Sequence, residues 1–223
     1  MAGMGWTRTS VAVPARGGAL VSGFDHDYVR DAPPLDAVGE VPAERMWDNL
    51  AWFLERVVPV AEAAGVRMAL HPDDPPLSPM RGVARIQTTL DEMERALDLV
   101  PSPAHGVTLC QGNVALMTDD VPAAIRRFGA RGRIHFAHVR DVSGTPERFV
   151  ETFHDAGPTD MLACMRAYRE VGADVPMRVD HVATLAGDAN DAPGYTTLGV
   201  LFAVGYLTGV REAAHADPDR SSG

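Results

Sequence analysis

Four short apolar runs recur along the 223 residues, and amphipathic segments of helical period separate them. The runs are VRMALH (66–71), GVTLC (106–110), IHFAHV (134–139) and VPMRVDH (175–181). Each is short for a buried helix and is followed by helix-opening signals, so each is predicted to be a strand. Strand–helix alternation at this spacing gives right-handed βαβ units and therefore a parallel sheet.

The intervening segments carry their own punctuation. From Glu44 to about Ala64 the residues Met46, Leu50, Phe53, Leu54, Val57 and Ala61 fall at helical spacing, and Pro59 is expected to kink or interrupt that helix. Thr89 and Glu92 form a capping-box pair ahead of Leu90, Met93, Leu97 and Val100. Asp119 or Asp120 caps VPAAIRRFG, with Pro122 in its first turn. Thr159 and Asp160 open MLACMRAYRE, which Gly172 closes, and a final helix starts near Tyr195. Residues 1–43 are rich in Gly, Pro and Asp without a sustained period and are expected to be loop, or the edge of something larger. The domain expected is a single one over 1–215, with a disordered polar tail at 216–223.

Each strand ends in a chemically active residue: His71, Cys110, His138 and Asp180. In parallel α/β folds the C-terminal ends of the strands face one side, where active sites are built. Two imidazoles, a thiolate and a carboxylate drawn from four strands can thus converge on one first-row divalent metal. Taken singly, each has a plainer role. A strand-end His is commonly a hydrogen-bonding residue, Cys110 would be a small apolar filler, and Asp73 and Asp74 would be solvated loop acids. Cys164, on a helix among apolar neighbours, is assigned that plain role. His135 and His138 point to opposite faces of a regular strand, so only one lines the site, and His138 is nearer the strand end.

Bulk properties exclude several classes. A formal charge of −10 argues against nucleic acid as the main partner. No apolar run approaches the ~18–20 residues that span a bilayer. Without a basic-then-apolar leader pattern the default location is cytoplasmic, and two cysteines make no disulfide framework.

HPDDPP (71–76), FAHVRD (136–141), VDH (179–181), PGYTTLG (193–199) and ETFHDAGPTDM (151–161) together resemble the D-mannonate dehydratase family. The similarity runs from about Trp6 to Ala213. It implies a xylose isomerase-like (β/α)8 TIM barrel and a metal-dependent lyase of glucuronate catabolism. The implied reaction is the dehydration of D-mannonate to 2-keto-3-deoxy-D-gluconate, usually with Mn2+, by a homo-oligomer. By position, His71, Cys110, His138 and Asp180 match the family's metal ligands, and Tyr195 its catalytic tyrosine. Arg140 and His181, with His154 and Arg8 behind them, match substrate contacts, and Arg140 has the shape to grip a carboxylate through two parallel hydrogen bonds. Asp180 and Tyr195 form the acid–base pair, with the order of the two roles left open.

A complete barrel typically needs about 250 residues, and WTRT (6–9) matches a family segment that normally follows the early strands. The barrel is therefore expected to be incomplete at its N-terminus. A truncated chain, a second chain that completes the barrel, or a reduced fold covered by residues 1–43 would each account for this. A sugar isomerase or epimerase on the same barrel, and a catalytically inactive family member, stand as the alternative functions.

Overall fold

The computed structural model describes residues 7–34 and 39–216. Its elements are β1 (Ser10–Pro14), β2 (Leu20–Asp25), α1 (Ala43–Ala63), β3 (Met68–Leu70), α2 (Leu90–Leu99), β4 (His105–Cys110), α3 (Gln111–Ala115) and α4 (Val121–Gly129). There follow β5 (Ile134–Val139), β6 (Val142–Thr145), β7 (Arg148–Glu151), α5 (Met161–Glu170), β8 (Met177–Val179) and α6 (Thr197–His215), with short 3-10 turns at 16–18 and 26–28. The expected tail lies almost wholly outside the described residues, as does Trp6.

All four predicted strands are present and pair in parallel in the order β3-β4-β5-β8, with helices between them. This is the architecture of a TIM-type sheet left open, with β3 and β8 as its edges. Val107, Leu109, Ala137 and Val139 meet Met93, Leu97, Ile125, Phe128, Met165 and Tyr168 from the helices in one apolar core. Strand alternation then turns Cys110 and His138 to the opposite face.

The N-cap signals hold at Thr89, Asp120 and Asp160, but the predicted Thr89–Glu92 capping box forms on one side only. Thr89 Oγ1 accepts from the Glu92 amide at 3.1 Å, while the Glu92 carboxylate turns to the amide and hydroxyl of Thr88 instead of closing the box on Thr89. Of the two candidate caps, Asp120 is the one used, through the Ala123 amide. Asp160 caps α5 through Ala163.

Three expectations are corrected. Pro59 neither ends nor divides α1, which runs unbroken to Ala63. Pro59 lies on the exposed side of that helix, where a carbonyl that loses its amide donor can turn to water. The buried face of α1 is Trp47, Leu54, Val58 and Ala61, and Phe53 is 45% exposed. An edge strand gives its helix a narrower surface to cover. Residues 1–43 are not simply loop: β1 and β2 form an antiparallel hairpin turned by Arg16–Gly17–Gly18, and both glycines have positive φ. That hairpin joins β7 and β6 in a second, antiparallel sheet, order β1-β2-β7-β6. Leu20 bridges to Thr184 beyond β8, and the Thr7 amide donates to Asp74 O beyond β3. The N-terminal segment therefore reaches from the rim beyond one edge strand to the rim beyond the other.

Candidate metal centre

Register builds this site. Cys110 and His138 are Cα partners at the ends of neighbouring strands β4 and β5. His71 follows β3 directly, on the other side of β4. One ligand atom each from His71, Cys110 and His138 lie within 4.8 Å of one another, close enough to share an ion. His71 Nε2 is 3.2 Å from His138 Nδ1. His71 Nδ1 donates to Pro72 O at 2.6 Å, which leaves Nε2 as the atom that faces the cluster.

The electrostatics favour a cation. Burial opposes ionisation of the Cys110 thiol, but Arg140 nearby and hydrogen bonds with His138 and His71 outweigh it and bring its pKa down to about 5. Burial likewise opposes charge on His71, yet its bond to Cys110 and that residue's charge raise it to about 9. The pocket holds a thiolate and draws positive charge towards it. Deprotonated sulfur beside two imidazole nitrogens is the donor set that first-row divalent metals take, so the residues present fit such an ion.

Asp180 is not one of the three that close on each other; it stands beside them. Its Oδ2 is 3.6 Å from His138 Nδ1 and 3.4 Å from Arg140 Nε. Its Oδ1 accepts from the Tyr195 hydroxyl at 3.3 Å. Burial would raise the Asp180 pKa, but the His181, Arg140 and His138 charges hold it below the ordinary value. Burial and then the Asp180 charge push the Tyr195 phenol upward, so it keeps its proton.

Behind the cluster lies a buried ionic layer that sequence reasoning did not anticipate. Arg140 is fully buried: Nη1 donates to Glu151 Oε1 (2.8 Å) and Oε2 (3.1 Å), and Nη2 to Asp74 Oδ2 (2.8 Å) and Asn113 Oδ1 (2.7 Å). Arg8 donates to Asp74 Oδ1 at 2.8 Å and to Glu151 Oε1 at 2.5 Å. The two-armed grip on a substrate carboxylate expected of Arg140 is thus directed inward, to carboxylates of the chain itself. Arg8 is committed in the same way. Asp74 is 3% exposed, not a solvated loop acid, and against the pull of burial Arg140 and Arg8 lower its pKa to about 2. Glu151 is held lower still by the same two arginines and by His181. Gly112 is needed here: a Cβ on it would lie 2.7 Å from Arg140 Nη1 and 2.8 Å from Cζ, so only glycine lets the α3 backbone lie against the guanidinium.

His181 joins this layer through Glu151 Oε1, 2.9 Å from its Nδ1, and stands edge-on to the Tyr195 ring. His154 is buried and donates from Nε2 to Val139 O at 2.8 Å, which anchors the strand end and not the centre. His135 bonds Met68 O on the opposite face, as the alternation required. Cys164 is buried, and burial raises its thiol to about 12.

Strand-end donor residues on an open parallel sheet, walled by buried arginines and carboxylates, define the class: a TIM-type α/β protein with a candidate nitrogen–sulfur metal site at the C-terminal rim. The chain belongs to the D-mannonate dehydratase family, since residues 33–220 match the family model described as D-mannonate dehydratase (UxuA). It is 39% identical over 206 residues to mannonate dehydratase 2 of Halalkalibacterium halodurans, an alignment that covers 90% of this chain and 59% of the relative. The crystal structure of mannonate dehydratase from Streptococcus suis serotype 2 superposes at a TM-score of 0.85 with 33% identity, over 95% of this chain and 62% of that one. A xylose isomerase domain protein from Planctomyces limnophilus, 18% identical, shares the fold at a TM-score of 0.55, over 79% of this chain and 58% of its own. The chain therefore spans about three fifths of the length of these relatives. Among the described residues no helix is long and apolar enough to cross a membrane.

Proposed function

We propose that this chain carries the metal and proton-transfer half of a dehydratase that converts D-mannonate, or a closely related sugar acid, to a 2-keto-3-deoxy acid. The observation that carries the proposal is the pairing of the His71–Cys110–His138 cluster with the Asp180–Tyr195 hydrogen bond at its side. His71, Cys110 and His138 would hold the ion, with Asp180 Oδ2 as the fourth donor; Mn2+ is the ion the family resemblance suggests. A bound divalent cation supplies Lewis acidity that offsets the negative charge built up on substrate oxygens when a proton is lost next to a carboxylate.

The chain's own residues divide the proton work. Tyr195, whose phenol keeps its proton, gives it to the C3 hydroxyl as that group leaves as water. Asp180, ionised at neutral pH, takes the C2 proton. His181 contacts the sugar acid, while Arg140, Arg8 and His154 support the wall behind it. The location we propose is the cytoplasm and the working form a homo-oligomer. Apolar side chains on α1 and α6, such as Trp52 and Leu201, at 60% and 64% exposure, support association with further polypeptide.

The test is metal analysis of the purified chain together with incubation with D-mannonate and NMR detection of 2-keto-3-deoxy-D-gluconate, with and without added Mn2+. Metal-dependent product supports the proposal. Stoichiometric metal with no product from any aldonic acid rules it out, and appearance of an aldose from a ketose would assign an isomerase instead.

A further inference from the structure

Glu151 belongs to the other sheet, the antiparallel one, yet one of its oxygens is the most crowded acceptor of the site. Oε1 lies 2.5 Å from Arg8 Nη2, 2.8 Å from Arg140 Nη1 and 2.9 Å from His181 Nδ1. The residue is 2% exposed and ends β7, where it pairs with Val142 of β6. The β6–β7 excursion between β5 and α5 thus delivers a buried carboxylate beneath the rim of the parallel sheet.

Counting hydrogens fixes what His181 must present. A carboxylate oxygen only accepts, so 2.9 Å between Oε1 and Nδ1 requires a hydrogen on Nδ1. Arg8 Nη2 also lies 3.1 Å from Nδ1. A guanidinium nitrogen only donates, so this contact competes with Glu151 for Nδ1; the same Nη2 also donates to Glu151 Oε1 and to Asp74 Oδ2, 3.2 Å away, and the charged acceptors are the stronger partners. The other ring nitrogen, Nε2, then faces the reacting side, 3.8 Å from Asp180 Oδ2. The His181 backbone is also held: φ +40° is a left-handed conformation that a non-glycine residue adopts when its surroundings impose it, and a Cβ on Gly194 would lie 3.7 Å from the His181 Cα and Cδ2.

We propose that Glu151 is a positioning residue, which holds the His181 imidazole with its proton on Nδ1 and so turns Nε2 towards the Asp180–Tyr195 pair. Carboxylates in this position behind a site histidine fix both ring orientation and tautomer. The kinetic arm of the proposal rests on the dehydratase reading, and the spectroscopic arm does not.

The experiment is long-range 1H–15N correlation NMR on the uniformly 15N-labelled full chain loaded with Zn2+ (a diamagnetic ion), with the His181 signals assigned by their loss in His181→Gln. Between pH 6.5 and 8.5, Nδ1 is expected to show the protonated pattern. An Nδ1 signal of the unprotonated type in that window overturns the proposal without any change at Glu151. In Glu151→Gln, whose amide can offer a donor where the carboxylate only accepts, the His181 pattern is expected to change while bound metal stays stoichiometric. With D-mannonate and Mn2+, kcat is expected to fall about 10- to 100-fold with a smaller change in KM. An unchanged His181 spectrum in Glu151→Gln also overturns the role. If the wild-type chain turns over no aldonic acid, the dehydratase reading fails, and the spectra still decide what Glu151 does.

Discussion

Cys110 and His138 stand side by side as register partners at the ends of two adjacent parallel strands, so the sheet itself sets the spacing of a sulfur and a nitrogen donor. Backbone pairing fixes that spacing before any ion arrives. Cobalt(II) added to the chain is therefore expected to give a thiolate-to-metal charge-transfer band in the near ultraviolet. Cys110→Ser should abolish the band, and His138→Ala should weaken binding by at least about tenfold, or ~1.4 kcal/mol. His135→Asn, three residues from His138 on the opposite face, should leave the spectrum unchanged. A band that survives in Cys110→Ser would remove Cys110 from the centre.

The buried carboxylates give stability a definite pH dependence. Asp74 has its pKa lowered to about 2, and Glu151 lower still, so both are more acidic folded than unfolded. For groups of depressed pKa the stabilisation is complete above the unfolded value, near 4, and is lost as pH falls through the folded value. Urea midpoints are expected to vary little between pH 7 and 5.5 on account of these two groups and to drop steeply below about pH 4. Asp74 alone contributes roughly 2–3 kcal/mol to that drop. Asp74→Asn should be less stable than wild type at pH 7, because Arg8 and Arg140 lose their charge partner, but should show a shallower acid limb. Identical acid limbs for the two proteins would contradict the ion-pair assignment.

Gly112 carries a prediction that its place in the sequence would not suggest. The Cβ of Gly112→Ala would sit 2.7 Å from Arg140 Nη1, and the guanidinium has nowhere to go because both terminal nitrogens are committed. Overpacking of this kind costs about 1–3 kcal/mol, which a urea titration can read. Loss of the cation altogether, in Arg140→Met, leaves Asp74 and Glu151 short of a partner and should cost more, about 3–5 kcal/mol. Wild-type stability in Gly112→Ala would show that the Arg140 layer is looser than the contacts indicate.

What could be read from the chain and what could not divide along physical lines. That His71, Cys110 and His138 meet at one rim, with Asp180 beside them, was legible because each closes a short apolar run, and parallel pairing makes strand ends equivalent. His138 was separable from His135 by the two-residue period together with its place nearer the strand end. Asp74 was missed because an acid in a proline-rich loop looks solvated until its partners are known, and those partners, Arg8 and Arg140, lie 66 residues away on either side. Glu151 was missed for the same reason; its neighbours come from the N-terminal segment, the end of β5 and the turn after β8. The β1–β2 hairpin left a usable local signal, Arg16–Gly17–Gly18 between SVAVP and LVSGFD, but its pairing with β7 is set by contacts across more than a hundred residues. The orientation of Arg140 was the least legible of all. A guanidinium suited to grip a substrate carboxylate is equally suited to grip Asp74 and Glu151, and only the folded arrangement distinguishes the two.

Tyr195→Phe should separate binding from turnover. The Tyr195 hydroxyl donates to Asp180 Oδ1 at 3.3 Å and takes no part in the His71–Cys110–His138 cluster, so its removal should not change metal stoichiometry or the cobalt spectrum. Burial and Asp180 keep the phenol protonated well past neutrality, which suits a group that gives a proton to a departing hydroxyl. In Tyr195→Phe the ring and its edge contact with His181 remain, and only the donor is lost. Turnover of D-mannonate is expected to fall about 10²- to 10⁴-fold, the range a positioned general acid contributes, while KM changes little. Metal analysis and steady-state kinetics on the same preparation check both halves. Loss of metal in Tyr195→Phe would make the tyrosine a structural support of the centre, and retention of both metal and turnover would move the acid role to another residue.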